Sequence, residues 1–266
     1  MIEGWQAACL ALLQGLTEFL PISSSAHLLI PGKVFGWPDQ GLAFDVAVHV
    51  GTLAAVLVYF RGELLALATG AWDGVRGRRC TDELRQLLAL ALATGPVVLT
   101  GLLAGDWVET RLRSLPVIAA TTLLFGLLLI PAHRASRCGG SAEIGPARAL
   151  LVGLAQALAV VPGVSRSGIT MTAAMLLGVE RSAAARFSFL LSIPVIGGAG
   201  LLKGMQLGAA AQPAPWLQLF AAAALAAATA YSCIAVFLRF VERVGLLPFV
   251  YYRILLAVFL ILVGLA

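Results

Sequence analysis

The sequence predicts an all-α polytopic membrane protein, one integral membrane domain over residues 1–266, with about six transmembrane helices and two re-entrant broken-helix hairpins. Of the 266 residues, 60% are apolar and 12% are charged, whereas soluble domains have roughly 45–50% and about 25%. Six apolar runs are close to the length that crosses a bilayer, and two further apolar runs are interrupted near the middle. This composition excludes a soluble enzyme.

The six uninterrupted runs predict membrane-spanning helices, each of which needs about 20 residues to cross the hydrocarbon. In chain order they are Phe44–Phe60, Leu87–Leu103, Pro116–Pro131, Phe187–Leu202, Trp216–Leu238 and Ile254–Leu265. The first and the last are short, so we expect both helices to extend into their flanking residues.

Two more apolar stretches, Trp5–Pro31 and Ala147–Leu177, are interrupted by proline, glycine and serine. The first interruption is Glu18-Phe-Leu-Pro-Ile-Ser-Ser-Ser, and the second is Val161-Pro-Gly-Val-Ser-Arg-Ser-Gly. Non-helical backbone persists at membrane depth only where protein buries it or where it lines a wet cavity. We therefore expect two broken helices whose interruptions meet inside the membrane and form a site.

The order of residues around the two interruptions predicts an internal repeat, with an offset of about 142 residues. Pro21 precedes a serine cluster, and Phe44 opens the next helix 23 positions later. Pro162 precedes a second serine cluster, and Phe187 opens the next helix 25 positions later. In this topology the two halves, about 1–132 and 133–266, cross the membrane in opposite directions, as in the inverted repeats of many transporters.

The distribution of basic residues predicts the orientation. Connecting segments on one side carry thirteen arginines, and basic residues concentrate on the cytoplasmic side. The other side carries Lys33, Arg111, Arg113 and Lys203. We expect a bacterial cytoplasmic (inner) membrane protein, in which three arginines of the inner segments are solvated or bind lipid phosphate: Arg181, Arg186 and Arg253. The net charge of +5 is scattered over short clusters, which favours membrane lipids as partners and argues against nucleic acid.

The first interruption carries an acid, a histidine and hydroxyl groups. Gln14 and Glu18 are four residues apart and share one helix face, while Ser24 and His27 are three apart and share another. An ionised side chain at membrane depth costs several kcal/mol, so Glu18 is a functional candidate; the structural alternative is a carboxylate paired with a serine or an amide. His27 is a candidate because Glu18 and the serines accompany it.

The second interruption predicts a phosphate-binding loop. Arg166 offers a planar fork of donors that matches phosphate oxygens. Glycines here let backbone N–H groups approach an anion, and the following half-helix directs its positive end toward it. The alternative is an arginine whose guanidinium extends to the membrane surface. Asp45 and His49, four residues apart, form either a structural pair or a contact of the site.

Together these segments resemble the bacterial undecaprenyl-diphosphate phosphatases of the bacitracin-resistance type. The motifs that carry the resemblance are Gln14–His27, Pro162–Thr170, Phe187–Pro194 and Pro248–Arg253. The resemblance implies a membrane enzyme that removes the terminal phosphate of undecaprenyl diphosphate. The product is the lipid carrier for cell-wall (peptidoglycan) synthesis, and its recycling confers bacitracin resistance. The resemblance also implies Mg²⁺ or another divalent cation, and an active site open to the outer, periplasmic face.

The family's motifs assign roles to residues of this chain. The catalytic residues they imply are Glu18, Ser24, His27 and Arg166. The substrate-binding residues they imply are Gln14, Ser23, Ser25, Ser165, Ser167, Gly168 and Thr170. The implied metal ligands are Glu18 and Gln14; because residue 14 is glutamine here, Glu18 is the only charged ligand that this motif supplies.

Three nucleophiles remain open. The first is Ser24 activated by His27, which the three-residue spacing favours because a hydroxyl needs an adjacent base. The others are His27 itself and an activated water.

A rival function is a lipid-phosphate transporter or flippase, since inverted repeats with paired broken helices are a transport architecture. A transporter needs no nucleophile, so His27→Ala should spare transport and abolish hydrolysis. The oligomeric state is open, and a homodimer is one expectation.

Overall fold

The computed structural model describes residues 2–77, 80–136, 140–209 and 215–265. The regular structure of these residues is helical, with eleven α-helices and one 3₁₀ turn at Leu158–Val160. The helices are α1 (Gly4–Thr17), α2 (Ser24–Phe35), α3 (Gly41–Tyr59), α4 (Arg61–Arg76), α5 (Asp82–Arg111), α6 (Leu115–Ala135), α7 (Pro146–Ala157), α8 (Arg166–Leu176), α9 (Arg181–Ala209), α10 (Trp216–Arg243) and α11 (Leu247–Leu265).

Six of these helices, namely α3, α5, α6, α9, α10 and α11, are long and apolar enough to cross a membrane. Each coincides with one of the apolar runs identified in the sequence. The two short runs do extend into their flanks, because α3 begins at Gly41 and α11 begins at Leu247. The prediction of an all-α, multi-pass membrane protein is confirmed.

Both interrupted stretches are broken helices. α1 ends at Thr17 and α2 begins at Ser24, while α7 ends at Ala157 and α8 begins at Arg166. The residue before each second half-helix is a serine with a left-handed backbone: φ is 74° at Ser23 and 70° at Ser165. A non-glycine residue in this region costs of order 1–3 kcal/mol, so surrounding contacts must hold both turns in place.

Helix α4 was not expected, since the sequence analysis treated its residues as part of an inner connecting segment. Its charged side chains make it too polar to count as a membrane span, yet it packs along α5. Leu67, Ala71 and Gly74 are buried, and Glu63 forms an ion pair with Arg186 of α9. Arg186, which was expected to be solvated or bound to lipid, therefore ties α9 to α4.

Close helix packing brings the two broken helices together at the centre of the bundle. α3 packs on α9 and α10, α1 packs on α10, α7 on α5, and α8 contacts α6 and α9. Glycine permits the closest approach: a Cβ atom at Gly51 would overlap the backbone carbonyl of Ala223. Between membrane helices such van der Waals contact is the main attraction. Phe19 beside the first break packs edge-on against Phe189 of α9, with ring centroids 5.2 Å apart.

Candidate active site

The carboxylate of Glu18 is the centre of a buried polar cluster. Glu18 follows the last residue of α1 and is only 9% exposed. Its Oε2 atom accepts hydrogen bonds from Gln14 Nε2 and from Ser24 Oγ, each at 2.9 Å. The predicted shared face of Gln14 and Glu18 is therefore confirmed, and the start of α2 brings a serine hydroxyl to the same oxygen atom.

The second break supplies the counter-charge for Glu18. Arg166 is the first residue of α8, and its Nη2 donates to Glu18 Oε1 at 3.1 Å. Its Nη1 donates to the backbone oxygen of Ser188 on α9, also at 3.1 Å. The side chains are 11% and 8% exposed, so this ion pair is shielded from solvent. Arg166 does not extend to a surface, and the charges predicted at membrane depth are paired across the two breaks.

Further hydrogen bonds join the tips of the two breaks. Ser167 Oγ donates to the backbone oxygen of Leu20 at 2.8 Å, and the Gly163 N–H donates to Ser25 Oγ at 3.5 Å. Ser165 Oγ accepts from the Gly168 N–H at 3.2 Å and so caps α8. The two interruptions therefore meet, as the sequence analysis expected.

Among the predicted substrate-binding residues of the second break, Thr170 lies furthest along α8 from its first residue. Its Oγ1 lies 2.7 Å from Ser188 Oγ and donates to the backbone oxygen of Arg166 at 2.9 Å. Both contacts hold the first turn of α8 against α9. The geometry thus shows Thr170 supporting Arg166, and Ser188 is a residue of this cluster that the sequence analysis did not identify.

The expected hydrogen bond between Ser24 and His27 is not formed. Ser24 donates to Glu18 instead, because an anionic carboxylate is a stronger acceptor than a neutral imidazole. The ring of His27 is held by the backbone oxygen of Ser23, 2.7 Å from Nδ1, and by the hydroxyl of Tyr252, 2.6 Å from Nε2. The i, i+3 spacing therefore does not make the two side chains partners.

The position of Arg253 differs from the expectation that it is solvated or binds lipid phosphate in an inner segment. It lies within α11 and is fully buried. Its guanidinium donates to the backbone oxygens of Gly163 at 2.9 Å, Val164 at 3.1 Å and Pro21 at 3.3 Å. Broken helices leave carbonyl groups without intrahelical partners. Arg253 supplies those partners to both breaks at once and also donates to Thr122 of α6, at 2.9 Å.

His49 contacts the site, whereas the Asp45 side chain does not pair with it. His49 Nε2 lies 3.9 Å from Glu18 Oε2, and its Nδ1 lies 2.7 Å from the backbone oxygen of Asp45. The carboxylate of Asp45 accepts a hydrogen bond from Gln40 Nε2 at 3.1 Å. Of the two alternatives for His49, the structure favours a contact of the site.

Two cavities reach the first break at different side chains. An apolar groove of about 950 Å³ runs between α1, α10 and α11. Its lining includes Leu16, Leu20, Val236, His27 and Tyr252. A smaller cavity of about 140 Å³ is more polar; it is lined by Ser24, Ser25, Asp45, His49 and Arg113 among others. His27 therefore borders the apolar groove, and Ser24 borders the polar cavity.

The donor set fits Mg²⁺ in chemical type. Gln14 Oε1 is buried and has no hydrogen-bond partner among the described residues, and it belongs to the residue that contacts the Glu18 carboxylate. Mg²⁺ prefers oxygen ligands and is usually held by one or two carboxylates plus substrate phosphates. The described part of the chain has no group of three His, Cys, Asp or Glu side chains that could hold a metal, so substrate oxygens would have to complete the ligand set.

The fold defines a polytopic α-helical membrane protein in which a buried arginine–glutamate pair lies where the two broken helices meet. The chain belongs to the family described as Bacitracin resistance protein BacA, whose model matches residues 7–259. It is 54% identical over 261 residues to a protein of Alcanivorax borkumensis named undecaprenyl-diphosphatase, covering 98% of both chains.

Two further relatives carry the same name. The protein of Hahella chejuensis is 52% identical over 247 residues, or 93% of each chain. The protein of Teredinibacter turnerae is 54% identical over 252 residues, or 94% of this chain and 96% of its own. The resemblance noted in the sequence is therefore confirmed at the level of the family.

Proposed function

We propose that this protein is an undecaprenyl-diphosphate phosphatase, which hydrolyses its substrate to undecaprenyl phosphate and inorganic phosphate. The observation that carries the proposal is the Glu18 carboxylate, which binds Arg166 of the opposite break and the hydroxyl of Ser24. The relatives' names give the substrate. The product serves as the carrier for peptidoglycan synthesis, and recycling it confers bacitracin resistance. The relatives' names also favour hydrolysis over the transporter alternative.

The substrate's two chemical halves match two parts of the structure. The diphosphate lies between the breaks, where Arg166 has five N–H donors and directs only two of its nitrogens to Glu18 and Ser188. The N-terminal turn of α8 adds backbone N–H groups and its positive dipole. The prenyl chain lies in the apolar groove, since lipid-like ligands bind in cavities lined by apolar side chains.

Phosphoryl transfer proceeds in two steps. Ser24 Oγ attacks the terminal phosphorus and passes its proton to Glu18 Oε2, to which it is hydrogen-bonded. The bond between this phosphorus and the bridging oxygen breaks, and undecaprenyl phosphate leaves with the electron pair. Water then attacks the phosphorus while His27 Nε2 accepts a proton from that water. The bond between phosphorus and Ser24 Oγ breaks, Glu18 returns its proton to Oγ, and inorganic phosphate is released. Arg166 neutralises the charge of the phosphoryl oxygens throughout, which is the main requirement of this chemistry.

A divalent cation is compatible with this arrangement. Glu18 and Gln14 are the residues that would hold Mg²⁺, through the carboxylate and the amide oxygen. When bound, Mg²⁺ supplies further neutralisation of the phosphate oxygens. Two measurements test this assignment. Phosphate release should depend on added Mg²⁺. Added Mg²⁺ should also protect the wild type, but not Glu18→Gln, against thermal unfolding.

Trapping of a phosphoenzyme tests the nucleophile. With substrate labelled at the terminal phosphate, wild-type protein quenched in acid and in alkali should carry acid-stable label on Ser24. Ser24→Ala should carry none. Ser25→Ala is the matched control, because Ser25 lies in the same cluster but contacts Gly163 rather than Glu18, and it should still be labelled. Alkali-stable, acid-labile label on His27 would contradict the serine mechanism, and hydrolysis by Ser24→Ala would favour an activated water.

We also propose the inner-membrane location, the inverted repeat and a periplasmic opening of the site. Ser23 and Ser165, which share a left-handed backbone at equivalent points of the two breaks, support the repeat. The excess of arginines on one side of the helices supports the orientation. This orientation places Arg113 on the outer side and Arg239, in the last turns of α10, among the arginines of the inner side. Each is replaced by cysteine in a background without the native cysteines, and intact cells are treated with a membrane-impermeant thiol reagent. Only Arg113→Cys should react. A homodimer stays a prediction.

A further inference from the structure

The polar cavity beside Ser24 is lined by two charged side chains of opposite sign that the proposed mechanism does not use. It lies between α2, α3 and the segment that leads into α6, and these side chains are Asp45 and Arg113. Its volume of about 140 Å³ equals that of roughly five water molecules, which is room for one phosphate ion. Arg113 is exposed, so the cavity reaches the surface of the protein at this residue.

The second step of the proposed mechanism frees inorganic phosphate beside this cavity. That step breaks the bond between phosphorus and Ser24 Oγ, and Ser24 belongs to the cavity lining. The other cavity at the first break is lined mainly by apolar side chains. An anion that enters such a groove loses its hydration and gains no counter-charge. The polar cavity is therefore the favourable route for the freed ion.

Arg113 and Asp45 act on a phosphate ion in the cavity in opposite directions. The Arg113 guanidinium can donate to phosphate oxygens, whereas the Asp45 carboxylate repels them. In the substrate, the terminal phosphate is bonded to the prenyl phosphate and stays between the breaks, beside Arg166, which is not part of the cavity lining. The freed ion has no such tether, so it can move along the cavity toward Arg113.

We propose that the polar cavity is a subsite for the inorganic phosphate product, in which Arg113 binds the ion and Asp45 weakens that binding so that the ion leaves. The inference rests on the proposed function and adds product release to it. Added phosphate enters the same cavity and occupies the space beside Ser24 Oγ that the terminal phosphate of the substrate must reach. Phosphate should therefore inhibit hydrolysis, with an inhibition constant Ki that depends on Arg113 and Asp45.

The test measures the ratio of Ki for inorganic phosphate to KM for undecaprenyl diphosphate, with hydrolysis followed through the lipid product because phosphate is added. Arg113→Gln should raise this ratio about fivefold, the effect of one exposed ion pair. Asp45→Asn removes the negative charge, keeps an oxygen for the hydrogen bond from Gln40, and should lower the ratio. Arg111→Gln is the matched control, because Arg111 is an exposed arginine outside the cavity lining, and it should keep the wild-type ratio.

The ratio separates a product subsite from a general attraction of anions. Loss of a charge that attracts every anion alike raises Ki and KM together, so an unchanged ratio in Arg113→Gln and Asp45→Asn would overturn the proposal. A higher ratio in Asp45→Asn, an equal rise in Arg111→Gln and Arg113→Gln, or hydrolysis that phosphate does not inhibit would overturn it too. Absence of any hydrolysis by folded wild-type protein would instead refute the proposed function.

Discussion

Replacement of Arg253 by methionine should destabilise the protein and abolish its activity, although Arg253 binds backbone oxygens and not the substrate. Arg253 is buried, and its donors reach the backbone oxygens of Pro21, Gly163 and Val164 in the two breaks. Methionine has a similar length and no donor, so it removes the hydrogen bonds while it keeps most of the apolar packing. The two left-handed serine turns would then lose the side chain that holds both of them.

The size of the effect follows from the carbonyl groups left without that donor. Each buried acceptor that loses its partner costs about 1–3 kcal/mol. The Gly163 oxygen keeps a long contact of 3.4 Å to Thr122 Oγ1, so the oxygens of Pro21 and Val164 bear most of the loss. Two such groups give about 2–6 kcal/mol, which corresponds to a fall in Tm of about 5 °C or more for a chain of this size.

Thermal unfolding in detergent, followed by intrinsic tryptophan fluorescence, measures this change. Arg239→Met is the matched control, because Arg239 is exposed on α10, and its Tm should match the wild type. Activity should be lost in Arg253→Met below its own Tm as well, since the breaks no longer hold Glu18 against Arg166. A Tm within about 1 °C of the wild type, together with normal phosphate release, would refute the reasoning about Arg253.

Three other predictions follow from the contacts. Arg166→Lys keeps the charge but not the planar fork that reaches Glu18 and Ser188, so kcat/KM should fall at least about tenfold; equal kcat/KM in a steady-state assay would contradict the fork. Gly51→Ala should lower Tm, because the added methyl group overpacks against Ala223 at a cost of about 1–3 kcal/mol. Gly198→Ala should leave Tm unchanged, because a Cβ atom at Gly198 would meet open space; equal Tm values for the two variants would refute the close packing at Gly51. Val236→Trp should fill the groove and raise KM for undecaprenyl diphosphate while Tm stays constant; an unchanged KM would place the chain elsewhere.

The sequence predicted the membrane spans and the charged residues of the breaks for a simple physical reason. A run of about 20 apolar residues is typical of a membrane-spanning helix, and a charged side chain at membrane depth costs enough free energy to indicate a functional site. Glu18 and Arg166 were recognised on that ground, and the structure pairs them. The two breaks were expected to meet because each exposes backbone that only protein or water can satisfy.

The same signal was present for Arg253 and was missed. The apolar run that predicts this helix begins at Ile254, one residue after Arg253, because Tyr251, Tyr252 and Arg253 lower the local hydropathy. Had the span been extended toward Pro248, a buried arginine facing two breaks would have been a direct hypothesis, since interrupted helices leave carbonyl groups that need donors.

Side-chain partners were predicted less well than positions. The spacing of Ser24 and His27 limits which face of α2 they share, but it does not say which acceptor lies nearest. Glu18 reaches Ser24 through the turn between α1 and α2, and Tyr252 reaches His27 from the far end of the chain. Such competition between local and tertiary partners depends on packing that a single sequence does not display.

The most direct test of the central claim is phosphate release from undecaprenyl diphosphate by purified protein, with Arg166→Ala and His27→Ala beside the wild type and each variant's fold checked by its Tm. The account predicts Mg²⁺-dependent release by the wild type and its loss in both variants while each is still folded at the assay temperature; Arg166→Ala should lower Tm as well, because it leaves the Glu18 carboxylate buried and unpaired. Wild-type protein that is folded and releases no phosphate, or folded variants that release it at the wild-type rate, would contradict the claim that hydrolysis occurs where the two broken helices meet.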